Sequence, residues 1–214
     1  MKAVKIQLAT RTLLNPAAPQ WGKVPAEEIS MGGTPLHNQP SRYVRTAWAG
    51  KPVGAVRFLK VQSAHNGKDI AFRLEWSDES ENRDHGDGSV FPDAAGVLFP
   101  LNGKAPLETM GSPKAPVNAW YWRANLPEDE AQNLIARGAG TVEATPKSSA
   151  QARGRWADGC WQVVLARPLA VNGDGVKLSP KGTAKVAFAV WEGSSQERGG
   201  LKSFSGHWRE LEIQ

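Results

Sequence analysis

The sequence reads as all-β: an antiparallel β-sandwich of about ten short strands with one or two short helices. Three observations carry that expectation. Apolar residues alternate with polar ones in short runs, the period of a strand with one buried face. Turn-forming pairs such as Asn66-Gly67 separate these runs, and glycine and proline are plentiful at 22 and 15 residues. Only one stretch, residues 128–137, carries the marks of a helix. A single domain over residues 1–214 is expected, because all-β chains of this length commonly form one.

Val4, Ile6 and Leu8 share a face, so residues 4–12 read as a first, amphipathic strand. Residues 15–41 hold Pro16, Pro19, Pro25, Pro35, Pro40 and the Gly32-Gly33 pair, which leave little room for regular structure. An ordered arm that wraps the domain or docks a partner is expected there. Strands follow at residues 42–49, with Val44, Thr46 and Trp48 on one side, and at 53–64, with Val56, Phe58 and, after a slip, Val61. The cleanest strand is 68–77, where Ile70, Phe72, Leu74 and Trp76 point one way, and Asn66-Gly67 makes a hairpin of the last two.

Residues 77–89 form an acidic loop with Asp78, Glu79, Glu81, Asp84 and Asp87. Its oxygens are dense, but their spacing does not fit a helix-flanked calcium loop, and a solvated acidic loop is the stronger reading. A short strand at 97–101, a turn-rich loop at 103–113 containing Met110, and a strand at 117–124 come next, the last with Trp120 and Trp122 on one face and Tyr121 opposite. Residues 128–137 are expected to be helical: Pro127 precedes an acidic first turn, Leu134 and Ile135 are apolar, and Arg137-Gly138 closes the segment. Strands at 141–144, 153–157 and 160–168, a turn at Asn172-Gly173-Asp174-Gly175, and a strand at 185–191 complete the series. A polar, glycine-rich loop then leads into a last strand, on which Lys202 shares a face with Phe204 behind Gly199-Gly200. Paired glycines mark a backbone that passes close to something bulky.

Composition excludes several functions. No apolar run is long enough to span a bilayer. The net charge of +5 comes from scattered residues, whereas nucleic-acid binding calls for a dense basic patch or a recognisable module. The N-terminus alternates instead of presenting the apolar core of a secretory leader, so export would depend on a partner's signal or on a leader outside this sequence. Cys160 alone leaves no internal disulfide and no multi-cysteine metal site, and without Cys-x-x-Cys-His a haem would be held non-covalently. No nucleophile elbow, His-Glu-x-x-His, phosphate loop or dinucleotide fingerprint is present, and His37, His65, His85 and His207 form no ligand spacing. Nine tryptophans against six phenylalanines and two tyrosines fit a sandwich core first, and otherwise a stacking surface for a sugar ring or a wall against a planar cofactor.

Residues 91–100, 110–112, 117–122, 154–161 and 186–193, and above all Glu197-Arg198-Gly199-Gly200-Leu201-Lys202-Ser203, carry a resemblance. They resemble the haem b gamma subunits of the type II dimethyl sulfoxide reductase family of molybdenum enzymes, the ethylbenzene dehydrogenase-like group, over most of the chain beyond about residue 40. The resemblance implies a β-sandwich holding one haem b, its iron ligated by a methionine and a lysine, which fall on Met110 and Lys202. Leu201 stands where relatives often carry a basic residue, a departure that leaves the ligands untouched. Under this reading Gly199 and Gly200 let the strand approach the porphyrin edge, and Phe204 helps to keep the lysine neutral. A thioether favours ferrous iron. A ligating amine must be neutral, and from a free value of roughly 10.4 its deprotonation at neutral pH costs about 4.6 kcal/mol. Taken alone, Met110 reads as a gap-filling methionine and Lys202 as a snorkelling one.

The family further implies electron transfer and no catalysis by this chain. Its partners would be a molybdenum-cofactor subunit, an iron–sulfur subunit and a soluble cytochrome acceptor, with molybdenum and iron–sulfur clusters confined to the first two. A periplasmic location reached by co-export with a signal-bearing partner, and a complex that hydroxylates ethylbenzene without oxygen, complete the expectation. The rival is a tryptophan-rich carbohydrate-binding β-sandwich, which needs indoles on its surface.

Overall fold

Among the residues that the computed structural model describes, 1–171, 173 and 175–214, fifteen strands occur with two short α-helices. In chain order these are β1 (Lys2–Lys5), α1 (Thr10–Leu13), β2 (Ala26–Ser30), β3 (Gly32–Gly33), α2 (Arg42–Ala47), β4 (Phe58–His65), β5 (Asp69–Ser77) and β6 (Ala94–Pro100). There follow β7 (Gly111–Ser112), β8 (Ala115–Arg123), β9 (Gln132–Ala136), β10 (Glu143–Ala144), β11 (Gln151–Ala157), β12 (Cys160–Pro168), β13 (Thr183–Trp191), β14 (Ser203–Phe204) and β15 (Arg209–Ile213). Four of the fifteen, β3, β7, β10 and β14, are only two residues long, which is why alternation in the sequence shows about ten. No helix among the described residues is long and apolar enough to cross a membrane.

The strands run in the order β10-β9-β8-β6-β13-β15-β1-β4-β5-β12-β11, and the sheet folds back on itself. Pairing is antiparallel except at β1, which lies parallel to β15 and β4. The β8-β6-β13 layer then faces the β4-β5-β12 layer. Phe72 of β5 meets Phe99, Trp120 and Phe188 across the gap at ring separations of 6.0, 5.9 and 6.1 Å, and Trp161 of β12 meets Trp122 of β8 at 5.0 Å. These are edge contacts, the geometry that aromatic quadrupoles favour. Each ring taken from water contributes roughly 1.5–3 kcal/mol, so the sandwich is held mainly along this seam. Seven of the nine tryptophans are buried and the other two half-buried, so the indoles that a sugar-stacking surface requires are in the core.

Five segments depart from the sequence expectation. The strand expected at 4–12 ends at Lys5, and Thr10–Leu13 is a helical turn; Val4, Ile6 and Leu8 still pack as one face against the cluster containing Leu13 and Trp21. The arm at 15–41 contains a real strand, β2, paired with β4 from Ala26↔Gln62 to Ser30↔Phe58. Its prolines do not prevent this, because Pro25 lies just before the strand and needs no donor there. The strand expected at 42–49 is instead helix α2 over Arg42–Ala47, capped by Ser41, whose hydroxyl oxygen accepts from Val44 N at 3.4 Å. The period-2 pattern of Val44, Thr46 and Trp48 was coincidental.

The helix expected at 128–137 is instead strand β9, paired with β8 from Val117↔Ala136 to Tyr121↔Gln132. Asp129 adopts a left-handed backbone (φ 64°), which interrupts any helix, and its carboxylate accepts from Arg153 Nε at 2.9 Å and Nη2 at 2.7 Å. Local propensity lost to the open edge of β8, which needed a partner. The strand placed at 53–64 begins only at Phe58, whose ring is exposed. The turn at 172–175 includes Asn172 and Asp174, which lie outside the described residues.

Candidate functional site

Strand β6 is buried on both faces. Val97 and Phe99 enter the sandwich, while Ala94 and Leu98 join a second apolar cluster on the outer side, with Ala119 and Leu134 from β8 and β9 and Trp191 from β13. Small side chains at Gly96 and Ala119 keep this outer face low, and a cavity of about 500 Å³ lies over it. That volume falls in the range of about 300–1,000 Å³ usual for cofactor pockets. The floor is Gly96, Leu98, Ala119, Tyr121 and Leu134, and the walls come from residues 34–44, 108–110, 139–142 and 198–202.

The wall at 198–202 is built by a sequence of local restraints. Past Trp191, Glu192 caps a short 3-10 turn, its carboxylate accepting from Ser194 N at 2.9 Å and Ser195 N at 2.8 Å. Glu197 is buried, and its Oε1 accepts from Gly54 N (2.6 Å) and Ala55 N (3.0 Å) while Oε2 accepts from Glu192 N (3.2 Å). Burial pushes its pKa up in spite of these donors. Gly199 is left-handed (φ 56°), and its carbonyl accepts from the Trp191 indole at 3.0 Å. The Gly200 carbonyl accepts from Thr34 Oγ1 at 2.6 Å and Gln39 Nε2 at 2.8 Å. A Cβ at Gly200 would run into the Gln39 side-chain amide, which would have to move from its hydrogen bond to the Gly200 carbonyl.

Lys202 leaves this loop with its backbone tied to Thr34, whose N donates to Lys202 O at 3.0 Å. Its side chain is buried, 5% exposed, and Nζ lies 5.3 Å from the centre of the Trp191 ring. Among the described residues Nζ has no hydrogen-bond partner and no carboxylate within ion-pair distance. Burial lowers its pKa to about 8, with the charge of Glu197 pulling the other way. Holding the amine neutral at pH 7 then costs on the order of 1 kcal/mol in place of the roughly 4–5 kcal/mol of a free amine.

Met110 lines the same cavity. It too has a left-handed backbone (φ 57°), a conformation that costs a non-glycine residue roughly 1–2 kcal/mol. Met110 N donates to Leu107 O at 2.9 Å and its carbonyl accepts from Gly138 N at 3.2 Å. The following Gly111 is left-handed as well (φ 87°), where a Cβ would stand 2.8 Å from Ala115 O. The chain therefore maintains a strained turn whose product is a half-buried thioether beside the cavity.

The structure thus gathers Met110, Gly199, Gly200 and Lys202 around one cavity. Phe204 is not in its wall; it is buried in the apolar cluster alongside, and Trp191 is the aromatic ring against the amine. Sequence reasoning missed the floor residues and Trp191. The signal was available in the unbroken apolar run of β6, which announces burial on both faces.

A group of acids lies where strands β5, β6 and β13 end. Asp78, Asp93 and Glu192 bring carboxylate oxygens within 4.8 Å of one another. Asp93 accepts from Trp161 Nε1 at 2.8 Å, Asn82 N at 2.9 Å and Gly193 N at 2.8 Å. Burial first, then the neighbouring acids, raise Asp78 to about 7; burial raises Asp93 to about 6. Asp78, expected in a solvated loop, is 4% exposed.

The fold and cavity together define a β-sandwich with an apolar pocket on the outer face of one layer. The shape is similar to that of a family 9 carbohydrate-binding module from Caldicellulosiruptor kristjanssonii with glucose (TM-score 0.57, 8% identity, 100% of this chain and 95% of that one) and with cellotriose (0.56, 8%, 100% and 93%). At that identity the likeness is one of fold alone. The chain itself belongs to the ethylbenzene dehydrogenase family, whose sequence profile matches residues 18–143 and 132–203 and so includes both Met110 and Lys202. It is 35% identical over 204 residues to the chlorate reductase subunit gamma of Ideonella dechloratans, covering 92% of this chain and 78% of the relative. Identity is 28% over 200 residues to the dimethylsulfide dehydrogenase subunit gamma of Rhodovulum sulfidophilum (88% and 71%). A Haloferax mediterranei protein, provisionally named a respiratory nitrate reductase haem subunit, is 35% identical over 194 residues, and the chain spans 65% of its length.

Proposed function

We propose that this chain is the haem b electron-transfer subunit of a molybdenum enzyme complex, with Met110 and Lys202 as axial ligands. The observation that carries the reading is Lys202: a buried amine, without a partner among the described residues and close to neutrality, in the wall of the apolar cavity that Met110 also lines. The names of the relatives support it, two being gamma subunits of oxidoreductases and one a haem subunit. Bound there, haem b supplies one-electron exchange between ferric and ferrous iron.

The protein's own residues do the rest. Lys202 gives up its proton and presents a lone pair, with Thr34 fixing its backbone and Glu197 fixing the loop. Met110 offers a soft sulfur that favours the ferrous state. Leu98, Ala119, Leu134, Leu201 and Trp191 surround the amine with apolar surface, which lowers the cost of its neutral form. If Met110 and Lys202 both held the iron, no position on it would be left for substrate, and substrate chemistry would belong to another subunit. The assembly we infer comprises a molybdenum-cofactor subunit, an iron–sulfur subunit that feeds electrons to this chain, and a soluble cytochrome that receives them. It is periplasmic, exported with a signal-bearing partner. Ethylbenzene ranks first as its substrate on the family's description, and the choice rests with the molybdenum subunit.

A reduced-minus-oxidised spectrum of the purified assembly tests this. A sharp low-spin Soret band is expected, moving toward high spin in Met110→Leu and in Lys202→Ala. A colourless protein removes the haem reading, and unchanged spectra in both variants remove the ligand pair.

A further inference from the structure

The cavity is unlike at its different sides, and that asymmetry orients an amphiphilic ligand. Its floor is apolar, but the rim formed by residues 38–41 and 198 carries amides, a hydroxyl and a guanidinium. Among the described wall residues the only cation besides Lys202 is Arg198, and the only acid is Glu108, two residues from Met110. Arg198 lies 4.2 Å over the Phe91 ring and donates from Nη1 to Gln196 O at 3.1 Å. No carboxylate among the described residues is within ion-pair distance of it, and the side chain is exposed, so its remaining donors face solvent. Asn38 carries a buried side-chain Nδ2 that has no hydrogen-bond partner. A buried amide donor left unmade costs about 1–3 kcal/mol, so an acceptor is expected when the site is filled. An amide donor without a partner and an exposed guanidinium with no acid within ion-pair distance, both lining the cavity, suit a carboxylate.

We propose that Asn38 and Arg198 bind the propionate carboxylates of the haem, so that its anionic edge faces the rim at 38–41 and 198 while its apolar edge lies over the floor from β6, β8 and β9. This assignment rests on the haem reading above. The Arg198 charge at that edge raises the reduction potential, because a cation near the iron disfavours the ferric state.

The full chain, stripped of haem and reloaded, provides the test. Haem b and its dimethyl ester, in which both carboxylates are blocked, are titrated into wild type, Arg198→Gln and Asn38→Leu, and midpoint potentials are measured for each low-spin product. Wild type is expected to prefer haem b by about tenfold, the order of one charge-assisted contact, and each variant to lose most of that preference. Arg198→Gln is expected to shift the haem b midpoint to lower potential, with Arg198→Lys restoring part of it. A wild type that takes both forms equally with a normal low-spin spectrum overturns the propionate assignment and leaves the axial ligands standing. Variants that keep the full preference and an unchanged midpoint also overturn it. A wild type that takes neither form removes both readings.

Discussion

Lys202 holds its proton weakly because it is buried, and that sets a pH window for binding. With the amine at about 8, each pH unit below that value leaves about tenfold less of it neutral, and a protonated amine cannot ligate. Apparent haem affinity should therefore rise about tenfold per unit from pH 6 to pH 8 and level off above, as read from the low-spin fraction in equilibrium titrations; a flat profile would remove Lys202 as ligand. The same shift acts on the haem-free chain in a different window. Its folded value lies below its unfolded one, so between about 8 and 10.5 the unfolded chain binds more protons and stability rises with pH. Gly200 makes a complementary case. Its Cβ position is occupied by the Gln39 amide, so Gly200→Ala should cost about 1–3 kcal/mol in urea unfolding. Adding Gln39→Ala should recover part of that loss, and an additive double variant would contradict the packing argument.

The loop from β13 to β14 is tied down by one side chain. Glu197 accepts three backbone amides from two separate stretches of chain, so Glu197→Ala should leave all three buried donors unmet and cost on the order of 3 kcal/mol. Glu197→Gln retains an oxygen for Gly54 and Ala55 but turns an NH₂ toward Glu192 N–H, so a smaller loss is expected. Equal urea midpoints for the two variants would argue against this account. What could be read from the sequence follows the same local logic. Strands β5, β12 and β13 were legible because one face of each alternates against the opposing layer. Strand β9 was not, since an acidic start after Pro127 looks helical until β8 offers an edge. Helix α2 was hidden by a chance alternation, although Pro40-Ser41 is a capping signal. Lys202 stood out locally as a lysine sharing a strand face with Phe204 behind two glycines, yet nothing local tied it to Met110. Those two are brought together by pairing of β14 with β13 and of β7 with β8, contacts that no local pattern encodes.

The two layers of the sandwich are also joined through carboxylates, and this makes the stability of the entire molecule depend on pH. Asp78 follows β5, Asp93 precedes β6 and Glu192 follows β13, so the cluster sits where strands from both layers end. Folded values of about 7 for Asp78 and about 6 for Asp93 lie above the unfolded 3.8. Between about pH 4 and 7 the folded chain therefore binds more protons than the unfolded chain, and stability falls as pH rises. From pH 5 to pH 8 the expected loss is about 2–4 kcal/mol, discounted because the acids titrate as a coupled group. His65 opposes this trend below pH 6.5: it is buried, its folded value is lowered, and protonation disfavours the fold. Comparing wild type with Asp78→Asn, which keeps His65, isolates the acid contribution. The variant should hold its melting temperature more nearly constant over that range and exceed wild type at pH 8, since it removes one buried charge and relieves Asp93. Parallel pH profiles for the two proteins would show instead that the cluster stays ionised at little cost.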